Sequence, residues 1–509
     1  MYQFLSSLSQ TQRTIILSVL GIMVSVGVSF LTYRNPMGAV FIILAALFVV
    51  FMIFLFREPS VGLFALVVYC FLFGILSREV GGVAYGIGIE VLLLLTWTIV
   101  IIQYKRYDWK RLNNPLNKLM LMWFIISVIE IINPAGASVM GWLQEIRSTA
   151  LFPMLITPLV FLLFDSEKKL NMVLIFLIVL SLLATLNGIK QQHMGLSPGE
   201  QKFLDEFGAV THLLWGRLRV FSFYSDSGQF GVSQASFVMI AIILAIAPFK
   251  SWKRILALVA AGLSFYGMLI SGTRGAFFAL VVGALCVFFL TKNVKVIILG
   301  LAVAVLFFGF LKFTTIGNGN YGIYRLRSAL NFKEASLKVR FTNQKVLRER
   351  LQSMPFGGGL GVTGTWGKLY NKDKFLSSIE PDSYWVKVWA MYGIVGLTIW
   401  FSMMMYIMGK CCGIIWKIKN VGLRYKCIAL FSAAAGIFIC SYANEVINAM
   451  PSAIVVALAF SLIFQSVNFD TGSSLSTGDN GNPGDDIDPD NIPNNESKTD
   501  NNELTIIYS

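Results

Sequence analysis

The chain has 509 residues, 56% of them hydrophobic and only 13% charged, against about 25% charged in ordinary soluble domains. A soluble fold of this length has no interior large enough for that much apolar surface. The formal net charge of +14 must therefore lie in polar segments between apolar ones, and nucleic acid is not an expected partner.

Read from the N-terminus, the apolar residues fall into blocks of about 20 residues, the length with which a helix crosses about 30 Å of hydrocarbon. They run 14–31, 37–56, 60–76, 83–102, 116–132, 148–164 and 170–186, then, after a polar gap, 233–248, 255–271, 276–290, 294–313, 384–408, 427–441 and 453–469. The blocks predict an all-α polytopic membrane protein of about fourteen transmembrane helices, with 1–469 as the membrane domain. The first block follows Arg13 and has no small-residue cleavage site, which predicts a retained anchor and not a removed signal peptide. Four short connections are basic: Lys105, Arg106, Lys110, Arg111 and Lys118; Lys250, Lys253 and Arg254; Lys292 and Lys295; and Lys410, Lys417, Lys419, Arg424 and Lys426. Positive loops stay in the cytoplasm, and one crossing per block places all four there, together with both chain ends. From 470 to 509 the composition turns to Asn, Asp, Gly, Pro and Ser, too polar to offset chain entropy, which predicts a disordered acidic cytoplasmic tail. Without that tail the chain carries 40 basic and 18 acidic residues, a net +22. The six cysteines lie in or beside apolar blocks without a CxxC pair, and there are only two histidines. Neither a disulfide framework nor a metal site is expected.

Two outer connections, 187–231 and 314–383, far exceed the usual loop length of about five residues, and long loops of this kind are commonly functional. The second has eleven basic and five acidic residues, on the face where positive charge is scarce. Within it, 331–352 places Leu337, Phe341, Leu347 and Leu351 among basic residues, which suggests an amphipathic helix along the membrane surface. A charged face beside lipid headgroups and an anion site both fit this pattern.

Three arginines sit beside or within apolar surroundings on that side: Arg219 in WGRLRVFSFYSDSGQFG, Arg274 in LISGTRGAFFAL and Arg340 in LKVRFTNQKVLRER. A charge there is costly unless it snorkels to headgroups or meets an anion, and a guanidinium fork suits pyrophosphate. The stretch PFGGGLGVTGTWG reads as a flexible segment, or as one letting backbone approach a ligand closely. It is not a phosphate-binding P-loop, since no GK[ST] follows. Asp382 and Glu380 in SIEPDSYWVKVW, Asp226 and His212 are the candidate proton acceptors. Glu90 and Glu130 lie inside apolar blocks and either line a polar cavity or pair with a neighbouring helix.

Taken in order from about residue 215 to residue 397, these segments resemble the O-antigen ligase and polymerase family of membrane glycosyltransferases. RVFSFYSDSGQFG resembles that family's Arg-led segment, SGTRGAFFAL its Ser-Arg-Gly turn, VRFTNQKVLRERLQSMPFGGGLG the opening of its large outer loop, and PDSYWVKVWAMYGIVGL the close of that loop. The resemblance implies a GT-C-like fold in the bacterial cytoplasmic membrane, with the active loops on the outer face. It also implies transfer of a glycan from an undecaprenyl-pyrophosphate carrier to an acceptor glycan without metal or cofactor, among membrane lipids and polysaccharide assembly proteins. In that reading Arg219, Arg274 and Arg340 hold the pyrophosphate, and Asp382 or Glu380 takes the acceptor proton. Ligases of the family usually have a histidine where this chain has Pro381, which favours a repeat-unit polymerase over transfer to a lipid acceptor. A flippase is the rival from another class, but no internal repeat and no midplane charge cluster is evident.

Overall fold

Apolar blocks that must satisfy their own backbone fold as helices, and the computed structural model is built of them almost throughout. It describes residues 36–80, 85–319, 321–328, 330 and 335–476. Among these, ten helices are long and apolar enough to cross a membrane, and the shorter apolar helices Ile42–Arg57, Gly86–Ile102 and Gly300–Phe313 accompany them. The chain is an integral membrane protein. Of the expected blocks, 14–31 lies outside the described residues, as does the tail from 477 onward. Among the described residues the only strands form a two-stranded antiparallel hairpin, β1 Leu213–Leu214 with β2 Arg217–Leu218.

One span starts earlier than its hydropathy indicates. The block expected at 148–164 is a continuous helical run over Val139–Leu163, with a π-helical turn at Arg147–Leu151. Glu145 and Arg147 break the apolar pattern, yet each is neutralised by a partner on another helix: Lys387 lies 3.1 Å from Glu145, and Arg147 pairs with Glu90.

The bundle has two unlike ends. At one, Glu58 bridges Arg106 and Lys169, each at 3.3 Å, Lys426 meets Glu167 at 2.6 Å, and Lys292 donates to the Trp416 carbonyl. The four basic connections share this end. The two long loops crowd the other.

The helices that frame the second end are α1 (Ser227–Ile246), α2 (Ser251–Ile270), α3 (Arg274–Thr291), α4 (Ala335–Leu351), α5 (Tyr384–Lys417), α6 (Val421–Cys440) and α7 (Ser452–Ser476). α1 and α6 are the most enclosed, and both are rich in small residues, which lets helices approach closely where lipid supplies no hydrophobic drive between them. α5 is kinked at Gly393, where φ is 67° and ψ is −168°. The Gly-rich turn packs into this kink: Val395 donates to the Pro355 carbonyl, and Gly358 and Gly359 donate to Ala390 and Met391. Several of its glycines thus give room to other backbone. A Cβ on Gly361 would lie 2.3 Å from the Gly141 carbonyl, and one on Gly393 2.0 Å from that of Pro355. Gly393→Ala is expected to lower stability by at least about 2 kcal/mol through backbone strain and overlap, read as a lower melting temperature in detergent.

Candidate active site at the loop end

Three helix N-termini meet here on the segment that follows α6. Asp226 caps α1, accepting from Gln229 N–H at 2.9 Å. Ser383 caps α5 through Val386 N–H, and its hydroxyl also donates to the Ser441 carbonyl at 3.3 Å. α3 begins directly at Arg274. The Cys440 thiol donates to the Gly275 carbonyl, and Gln229 reaches the Val446 carbonyl. Helix N-termini present unpaired N–H groups and the positive end of the dipole, so the converging ends favour an anion.

The α2–α3 turn, Ser271 to Arg274, is held from two sides. Arg219 donates to the Ser271 carbonyl at 3.3 Å, to the Thr273 hydroxyl at 3.2 Å and to the Thr211 carbonyl at 2.9 Å. Arg325, only 6% exposed, donates to the Gly272 carbonyl at 3.1 Å. Arg219 thereby braces the turn from which Arg274 projects.

Arg340 lies within electrostatic reach of Arg274, Asp382 and Tyr442. Burial lowers the proton affinity of its guanidinium and Arg274 adds to that, while Asp382 and Tyr442 oppose it; an arginine stays charged throughout. Its buried Nε finds no hydrogen-bond partner among the described residues. A desolvated guanidinium N–H beside a second arginine is the arrangement that an incoming oxyanion relieves. Asp382 stands before the α5 cap with a left-handed φ of 51°, a conformation that costs a non-glycine residue energy and that Asp tolerates better than most. Its carboxyl is solvent-exposed on one side and crowded by protein on the other. That loss of water raises its pKa; Arg340 opposes the rise, Glu380 reinforces it and Lys368 opposes it. A raised carboxyl is a stronger base while ionised.

The other sequence candidates have different employment. Glu380 makes a close surface ion pair with Lys368. His212 is buried: its Nε2 accepts from Ser227 N–H at 3.3 Å, so Nδ1 carries the proton and donates to the Gly208 carbonyl at 3.0 Å. It closes the start of α1 and is not placed as a base. Glu90 pairs with Arg147, and Glu130 accepts from Asn133 at 2.7 Å. The apolar stripe expected on α4 is also rearranged. Leu347 and Leu351 are buried, whereas Phe341 is 58% exposed. Two and three turns separate them from Arg340, which puts the arginine on the inward face.

What sequence reading passed over is a charge cluster beneath Asp382. Lys387 Nζ lies 3.1 Å from Glu145 and 3.0 Å from Glu445, and Thr149 donates to Glu145 at 3.1 Å. Lys387 stands in the quoted segment SIEPDSYWVKVW, and the rule that an ionisable residue inside a span needs a partner was the signal available for it. Arg78 was missed too: it donates to the Tyr224 carbonyl at 2.6 Å and stacks over Phe221 at 4.7 Å. Near it Glu200 is fully buried. Burial alone would raise its carboxyl, but hydrogen bonds from Lys190, the Ser197 backbone and Gln191 hold it down to about 2.

Among curated proteins none matches the chain. Residues 259–401 match the model of the O-antigen ligase family. The matched stretch contains Arg274, Arg340, Glu380 and Asp382 but neither Arg219 nor the segment after α6. The part of this membrane protein that runs from within α2 into α5, and that carries Arg274, Arg340 and Asp382, is thus similar to the O-antigen ligase family.

Proposed function

We propose that this protein is a metal-independent membrane glycosyltransferase that moves an oligosaccharide from undecaprenyl pyrophosphate to an acceptor glycan, as a polymerase of O-antigen, capsule or exopolysaccharide repeats. The observation that carries the reading is the buried, unpartnered Nε of Arg340 beside Arg274. In the reaction an acceptor hydroxyl oxygen attacks the anomeric carbon, the bond from that carbon to the pyrophosphate oxygen breaks, and the hydroxyl proton passes to Asp382. Charge grows on the departing pyrophosphate, where Arg274, Arg340 and the start of α3 stabilise it more strongly than in the ground state. Arg219 supports the group by fixing the turn, and Glu380, tied to Lys368, has the lesser claim to the proton. The gathering of basic connections at the opposite end supports an orientation with the site on the outer face of a bacterial cytoplasmic membrane.

The test is to incubate the purified protein with a lipid-pyrophosphate-linked oligosaccharide, with chelator and without nucleotide sugar, and to size the products. Longer glycans with release of carrier pyrophosphate are expected. Transfer of a single unit to a lipid acceptor would make it a ligase, and flipping in vesicles without transfer would overturn the assignment.

A further inference from the structure

Near the turn that bears Arg274, a cleft of about 320 Å³ is lined by Trp215 and Arg217 of the hairpin β1–β2 and by Asn318, Gly319 and Tyr324. The hairpin tip is unusual. Trp215 and Gly216 have φ of 51° and 70°, the two-residue turn that normally takes Asn-Gly. A bulky aromatic in the left-handed region is an outlier, and such strain persists where surrounding structure and use maintain it. Nor does burial explain the residue: Trp215 is 70% exposed and Tyr324 47% exposed. Their rings meet edge to face at 6.3 Å, leaving aromatic surface open to the cleft.

Two polar groups around these rings, Arg325 and Asn318, are held in place. Arg325 stacks over Trp215 at 5.7 Å while bonded to the Gly272 carbonyl. Arg327 holds the Asn318 side-chain oxygen and also donates to Thr314 and Ile316. Exposed aromatic faces flanked by fixed amide and guanidinium donors suit a ligand that is apolar on its ring faces and hydroxylated at its rim, which is a pyranose. Through Arg325 the cleft adjoins the turn that bears Arg274.

We propose that this cleft is a saccharide subsite in which Trp215 and Tyr324 stack on sugar rings and Arg217 and Asn318 bond their hydroxyl or carboxylate groups. It rests on the reading of the protein as a glycan transferase and names where the glycan, whether carried by the donor or the acceptor, is gripped. The probe is the host strain's own envelope polysaccharide, cleaved to lipid-free oligosaccharides and titrated into the full chain in nanodiscs. Lipid-free sugar reads the cleft independently of pyrophosphate chemistry. Trp215→Asn should keep or raise the melting temperature, because Asn suits the turn, and weaken binding at least tenfold; Trp215→Tyr should restore most of it. Arg340→Ala should bind the oligosaccharide as wild type does.

Equal binding by wild type and Trp215→Asn, or no binding by wild type, overturns the cleft and leaves transfer untouched. Trp215-dependent binding by a protein that transfers nothing keeps the cleft and overturns the transferase. In turnover, a Trp215→Asn rise in KM confined to the lipid-linked donor assigns the cleft to the donor glycan, and one confined to the acceptor assigns it to the growing chain. Unchanged KM for both overturns the subsite.

Discussion

Arg340→Ala is expected to cut the rate of glycan transfer by about 10²- to 10³-fold, the usual loss when one preorganised donor to a developing oxyanion is removed. The expectation stems from burial without a partner. The Arg340 guanidinium is largely desolvated, Asp382 attracts it and Arg274 repels it, and its Nε has no hydrogen-bond partner among the described residues, so an arriving oxyanion would supply the bond that Nε lacks. Its removal should therefore leave the melting temperature in detergent unchanged or slightly higher while transfer collapses. A residue that merely supported the fold would show the opposite pair of results. Arg340→Lys keeps the charge but loses the planar fork, and should recover only part of the rate. Arg274→Ala should cost a similar amount, and the double variant less than the product of the two, since both act on one leaving group. Product sizing on folded Arg340→Ala protein with a lipid-linked donor decides the matter; a rate equal to wild type would remove the arginine from the site.

Lys387→Met should give the largest loss of stability, about 3–5 kcal/mol, the range for removing one partner of a buried ion pair. Glu145 is 1% exposed in its side chain, and Glu445 is the more open partner at 30%, so the uncompensated charge falls mainly on Glu145. Adding Glu145→Gln to Lys387→Met should restore much of the loss, because the pair is then removed as a unit. Melting temperature in detergent reads both variants; a Lys387→Met protein as stable as wild type would mean that Glu145 has another counter-charge. Since Lys387 lies one turn after the α5 cap that follows Asp382, the single variant should also loosen that carboxylate and slow transfer.

Much of the molecule was legible in the sequence because lipid imposes local rules. Twenty apolar residues in a row specify a helix irrespective of distant neighbours, so most blocks became helices near their expected bounds, and the basic connections gathered at one end. The segments around Arg274 and Arg340 stood out for a different reason: each holds a charge beside apolar residues, and that mismatch shows in one dimension.

Only the tertiary structure decided which charges meet. Glu145 and Arg147 cut a span short by hydropathy, yet Lys387 and Glu90, distant along the chain, let the helix continue through them. His212 and Asp226 read as candidate proton acceptors, and in the fold both bond to the start of α1. The glycines after Pro355 read as freedom until the kink at Gly393 filled the space. By itself the sequence determined that its apolar blocks form helices, and where the basic connections and charged segments lie between them, because hydrophobic transfer and helix formation sum over neighbouring residues. The approach of Arg340 to Arg274 and Asp382, and the cleft around Trp215, depend on separations in space that local pattern does not encode.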